Sequence, residues 1–168
     1  MAREIFDGKS PFGYNVRTSE QAASGVLFPR QLDILRLSAL GMPNRQIAED
    51  LGIAMQTVKN IKRQAYEALG VGTIHQAMQA CRDRGIFEFE LDEDTSNVPV
   101  LTVGEMLVLE QMNTGQNGLS KTIARSMRIS PHTVKNHLRD ARKRTGTNRS
   151  YVAAIIYDVQ NGPVLDEK

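Results

Sequence analysis

The quartet Thr57-Val58-Lys59-Asn60 returns as Thr133-Val134-Lys135-Asn136. Each copy sets a hydroxyl, a cation and a carboxamide within one helical turn. That set suits reading a nucleic acid. Lys and Arg donate to guanine O6 and N7, and Asn pairs with an adenine edge. Gln56, Lys59, Asn60 and Arg63 are spaced by three or four, so a helix gathers them on one face while Val58 turns inward. His132, Lys135, Asn136 and Arg139 form the matching face of the second copy. Thr57 and Thr133, at the helix starts, can set a hydroxyl and a backbone N–H against a phosphate. Lys62, Arg142, Lys143 and Arg144 extend a basic track toward the DNA backbone.

Other chemistries find no matching pattern. No Ser-His-Asp set, paired-carboxylate constellation or Gly-rich phosphate loop is present, so the expectation is no enzyme and no cofactor. His75, His132 and His137 do not combine with Cys81 or carboxylates at metal-ligand spacing, so no metal site is expected. Cys81, between Ala80 and Arg82 and close to Ala77 and Met78, reads as a small buried apolar residue. A single Cys excludes an intrachain disulfide and suits a reducing compartment. No apolar run approaches the roughly 20 residues that span a bilayer, and the first residues lack the apolar stretch of a secretory signal.

The elements that must carry these faces also come in duplicate. Both quartets follow an Ile-Ala pair (Ile47-Ala48, Ile123-Ala124) and precede a Gly (Gly70, Gly146). Gly41 and Gly115 are offset by 74 positions and the quartets by 76, so the second copy holds a two-residue insertion within 116–120. Two degenerate copies of one unit mean two small domains doing the same kind of work. In the first copy, Leu32, Ile34, Leu35 and Leu40 mark a first helix opened by Pro29 and stopped at Gly41. A short helix follows Asn44. After the turn Leu51-Gly52-Ile53 a third helix carries Val58, Ile61, Ala65 and Leu69 as an apolar stripe. A fourth runs from about Thr73 to Arg84. The second copy repeats this with firmer punctuation: a Thr102/Glu105 capping box, Ser120 before the second helix, and Ser130-Pro131 before the third. Ala54 stands where Ser130 would cap, which forgoes about 1 kcal/mol. The fourth helix of the second copy (Tyr151, Val152, Ala153, Ala154, Ile155, Ile156, Val159) is more apolar than one buried face requires. Two readings stand side by side: part of that surface meets another fourth helix, in the same chain or in a second subunit, or it all goes into core packing.

The expected fold class is therefore all-α: two tandem four-helix domains joined by an acidic linker. The divisions are an N-terminal arm over 1–26, a first domain over 27–86, a linker over 87–100, a second domain over 101–162 and a tail over 163–168. The net charge of +2 is segregated: +3 over 27–86, +5 over 101–162 and −5 over 87–100. Two basic modules about an acidic strap suit a polyanionic partner. Arg3, Lys9 and Arg17 in the arm are further phosphate candidates.

A short helix, a tight turn and a longer helix make a helix-turn-helix, whose second helix enters the major groove. With Leu27, Leu35, Gly41, Asn44, Leu51-Gly52-Ile53 and Leu69-Gly70 around the first quartet, and Leu101-Thr102, Glu105, Leu109, Gly115, Ile129-Ser130 and Gly146 around the second, both copies resemble the LuxR/GerE-type domain of bacterial transcription regulators. The resemblance spans about 27–162. It implies base contacts from Lys59, Asn60 and Arg63 and from Lys135, Asn136 and Arg139, and dimerisation through fourth helices. Phe28, Arg128, Thr145 and the insertion depart from the family pattern, mainly in the scaffold. The expectation is a cytoplasmic, sequence-specific regulator that places two recognition helices on double-stranded DNA. Its rival is a protein-interaction module that meets RNA polymerase or another regulator.

Overall fold

The computed structural model describes residues 10–91, 100–113 and 120–161. Arg3, Lys9, the insertion near Gly115, Asp92 to Asp94 and the 163–168 tail lie outside these. The described chain runs β1 (Tyr14–Thr18), α1 (Glu20–Ala23), α2 (Pro29–Ala39), α3 (Asn44–Leu51), α4 (Met55–Leu69), α5 (Ile74–Asp83), β2 (Phe87–Leu91), α6 (Val103–Asn113), α7 (Ser120–Met127), α8 (Pro131–Thr145) and α9 (Ser150–Asn161). Two four-helix copies, α2–α5 and α6–α9, match the sequence reading.

Local chemistry explains the helix ends. Gly52, Gly70 and Gly146 close α3, α4 and α8 in the left-handed conformation that only glycine adopts freely. Arg128 holds φ 56° at the position equivalent to Gly52, so the second copy makes the same turn with a strained residue. The Thr102/Glu105 box is formed, with Thr102 N–H donating to Glu105 Oε2 at 2.9 Å and Glu105 N–H to Thr102 Oγ1 at 3.3 Å. Ser130 Oγ accepts from Thr133 N–H at 3.0 Å, whereas α4 has no side-chain cap at Ala54.

Two features depart from an all-helical pair of beads. First, residues expected in the arm and in the acidic linker form one antiparallel ribbon, with Val16 opposite Phe89 and Tyr14 opposite Leu91. Alternation explains it. Tyr14, Val16 and Phe87 are buried while Arg17 and Glu88 are exposed, and Arg17 meets Glu90 at 3.1 Å. Tyr14 also donates to Ala39 O at 2.5 Å, which pins the ribbon to α2.

Second, α9 serves both copies. Tyr151, Val152, Ile155 and Ile156 belong to the core built on β1, α2, α4 and α5. Ala153 and Ala154 belong to the core of α6, α7 and α8. Six consecutive buried residues are possible only for a helix covered on opposite sides. Tyr151 donates to Ser38 O at 2.8 Å. Arg82 of α5 pairs with Asp158 and lies 5.1 Å from the Phe89 ring centroid. The surplus apolar surface of the fourth helix is thus spent inside the chain. A smaller cluster of Ile34, Met42, Ile47, Ala48 and Val58 joins α3 to α4.

Candidate nucleic-acid interface

α4 and α8 bury equivalent positions: Val58, Lys62, Ala65 and Leu69 in one, Val134, Leu138, Ala141 and Thr145 in the other. With those positions inward, helical geometry turns the quartet faces outward. On α4, Gln56, Thr57, Lys59, Asn60 and Arg63 are all exposed. Gln56 Nε2 donates to Asn60 Oδ1 at 3.1 Å, which aligns two carboxamides along the face. Lys59 and Arg63 flank them. Donors and acceptors that suit base edges are therefore gathered on one solvent-facing surface.

The α8 face is assembled from the same positions but is more tied down. His132, Lys135 and Arg139 are exposed, while Thr133 and Asn136 are half-buried. Thr133 is engaged by Ser130, through its N–H and at 2.8 Å through its hydroxyl. Arg139 Nε donates to Asp140 Oδ1 at 3.1 Å. Lys143 is exposed, and Arg142 is half-buried and reaches Asn148 O at 3.5 Å.

Two members of the expected basic track are corrected. Lys62 is not a surface cation: it is 8% exposed and its Nζ donates to Asn44 Oδ1 at 3.1 Å. Burial, reinforced by the nearby Arg149, pushes its ammonium down to about 8. Arg144 points back to the scaffold, where its Nε donates at 3.0 Å to Glu105 Oε1 on a carboxylate almost wholly buried. The sequence carried a signal for Lys62. It lies four residues after Val58 and three before Ala65, on the inward stripe, and 76 positions before Leu138.

His137 packs against Gly104, where a Cβ would come within 2.5 Å of the ring. It therefore spaces α8 from α6 rather than joining the outer face. Cys81 is fully buried, and burial raises its thiol to about 12, which leaves it inert. Among the described residues no group of three or more His, Cys, Asp or Glu is placed to hold a metal, and no helix is long and apolar enough to cross a membrane.

The family model described as "Bacterial regulatory proteins, luxR family" matches twice, over residues 25–81 and 99–157. These spans contain α2–α4 with most of α5, and α6–α8 with most of α9. The HTH-type transcriptional activator RamA of Corynebacterium glutamicum is 41% identical over 59 residues, which is 35% of this chain and 21% of that relative. The chain thus spans about a fifth of the length of the curated relative it matches. No solved structure matches the chain significantly.

Proposed function

This chain belongs to the luxR family of bacterial regulatory proteins, and from that premise we propose that it is a transcription regulator that binds double-stranded DNA with both α4 and α8. The family is one of regulators, not of enzymes. The observation that carries the two-helix reading is the pairing of like faces on copies that share α9. Lys59, Asn60 and Arg63 on one helix and Lys135, Asn136 and Arg139 on the other are held by cores with a helix in common. The proposed contact set is Gln56, Thr57, Lys59, Asn60 and Arg63 with His132, Thr133, Lys135, Asn136, Arg139, Arg142 and Lys143.

The proposed divisions remain 27–86 and 101–162, with the ribbon and α9 tying across them. One chain then acts as a covalent pseudo-dimer in the bacterial cytoplasm. With the apolar surface of α9 already covered, a homodimer through α9 would have to open both cores. The tether makes binding of the second module intramolecular and raises its effective concentration.

Selection of random duplex DNA on the intact protein tests this reading. The expected result is one enriched motif with two half-sites at a fixed spacing. Lys59→Ala is expected to relax preference in one half-site and Lys135→Ala in the other. Retention of DNA with no enriched sequence, or a motif with a single half-site, overturns it.

A second reading rests on Val100, Val103 and Leu107. They are spaced by three and four and are 83%, 67% and 45% exposed. This apolar stripe beside and along α6 suits a protein partner such as RNA polymerase or another regulator. Binding of such a partner that is lost on Leu107→Asp, in a protein that retains no DNA, would favour it.

A further inference from the structure

Lys62 stands where the second copy has Leu138, and both are 8% exposed. The fold accepts an apolar residue at this position, so an ammonium there lowers stability unless something answers it. Little does. Among the described residues its hydrogen bond goes to Asn44 Oδ1 and no carboxylate pairs with it. Arg149, just before α9, adds repulsion. A buried charge kept against these terms calls for a role outside packing.

The geometry of the bond shows what it does. An ammonium only donates, so Asn44 must offer its carbonyl oxygen to Lys62. The planar carboxamide then directs its NH2 group away from Lys62. Asn44 is the first residue of α3 and is half-buried. In a helix-turn-helix the first helix crosses the DNA backbone while the second lies in the groove. We propose that Lys62 is a positioning residue, which locks the Asn44 carboxamide from within the core so that its N–H groups meet a DNA phosphate beside the groove read by α4. Its charge acts on that phosphate through Asn44. The second copy, with Leu138, has no such device. The inference rests on the DNA-binding reading above and assigns a contact that the outward face of α4 does not contain.

The test uses the full chain and a random-sequence duplex, because a phosphate contact is independent of sequence. Lys62→Met refills the position with an unbranched apolar side chain. Its melting temperature is expected to equal or exceed the parent's, while its DNA affinity falls about tenfold. The slope of log affinity against log salt should shrink by about one. Asn44→Ala should show the same loss of affinity, and the double variant should lose no more than either single one. A folded Lys62→Met with the parent's affinity and salt slope overturns the inference. Should Lys62→Met fail to fold, Asn44→Ala decides, and parental binding by that variant overturns it equally. Lys59→Ala, measured alongside, separates the two readings. A parent that binds no duplex removes the proposed function and this inference together. A parent that binds, is weakened by Lys59→Ala and is unchanged by Lys62→Met or Asn44→Ala removes this inference alone.

Discussion

α4 and α8 share the Thr-Val-Lys-Asn quartet and bury the same four positions, yet they are held differently. The start of α8 is capped by Ser130, and its flanking cations Arg139, Arg142 and Arg144 are each drawn to an acceptor within their own copy. The start of α4 is uncapped, and Lys59 and Arg63 stand clear in solvent beside an aligned Gln56–Asn60 pair. The fourth helices differ more. α5 buries Ala77, Met78 and Cys81, whereas α9 buries six residues in a row and completes the core of the other copy. Duplication supplied two matching outward faces but not two equivalent bodies. The first copy depends on the second for part of its interior.

The largest expected effect attacks that dependence. Ile156 is a second-copy residue in the first-copy core, so Ile156→Ala should destabilise the chain by about 3 kcal/mol. Calorimetry should still show a single transition, at lower temperature. Two separated transitions would mean that the copies melt as independent bodies, against the asymmetry argued above.

Next comes acid. His75, on α5, lies edge-on to Tyr151 with ring centroids 5.9 Å apart, and its buried Nε2 has no hydrogen-bond partner among the described residues. Burial lowers its pKa from 6.5 to about 4. The unfolded chain therefore takes up the proton first, and stability falls as pH drops below the unfolded value toward the folded one. Between about pH 7.5 and about pH 5 the parent should lose about 2 kcal/mol more than His75→Phe does, read from urea midpoints. Equal losses in the two proteins would show that the contact between α5 and α9 is not what acid attacks.

The smallest effect sharpens the contrast at the helix starts. Ser130→Ala should cost about 1 kcal/mol, and Ala54→Ser should return a similar amount to the first copy. If both changes are neutral in thermal melts, the difference in capping does not distinguish α4 from α8.

Most of the helical plan was legible because each helix carries a 3.6-residue apolar stripe and several end on a Gly that must be left-handed. The outward placement of Lys59 and Lys135 was legible for the same reason: fixing Val58 and Val134 inward fixes both lysines outward. The ribbon was harder to see. Phe87 and Phe89 alternate with Glu88 and Glu90, a half-buried strand in miniature, but the acidic residues around them read equally well as a solvated strap. Its partner strand lies more than seventy residues away, as Val16 pairs with Phe89, and local patterning carries no information over that distance. The excess apolar surface of α9 was visible in the sequence. Its destination was not, since composition does not say which core a helix joins. Charge alone does not place Lys62 and Arg144. One occupies a stripe site, and the other lies within reach of a buried carboxylate on another helix.

The sharing of α9 also sets an order in time. α5 ends at Asp83 and α9 begins at Ser150, so a ribosome that has released the helices of the first copy has yet to make the segment that covers its core. Until then the sites of Tyr151, Val152, Ile155 and Ile156 are open apolar surface on a nascent chain. Contacts so distant in sequence also slow folding. The first half of this protein is therefore the part that most needs shelter during synthesis, although it is the first to emerge.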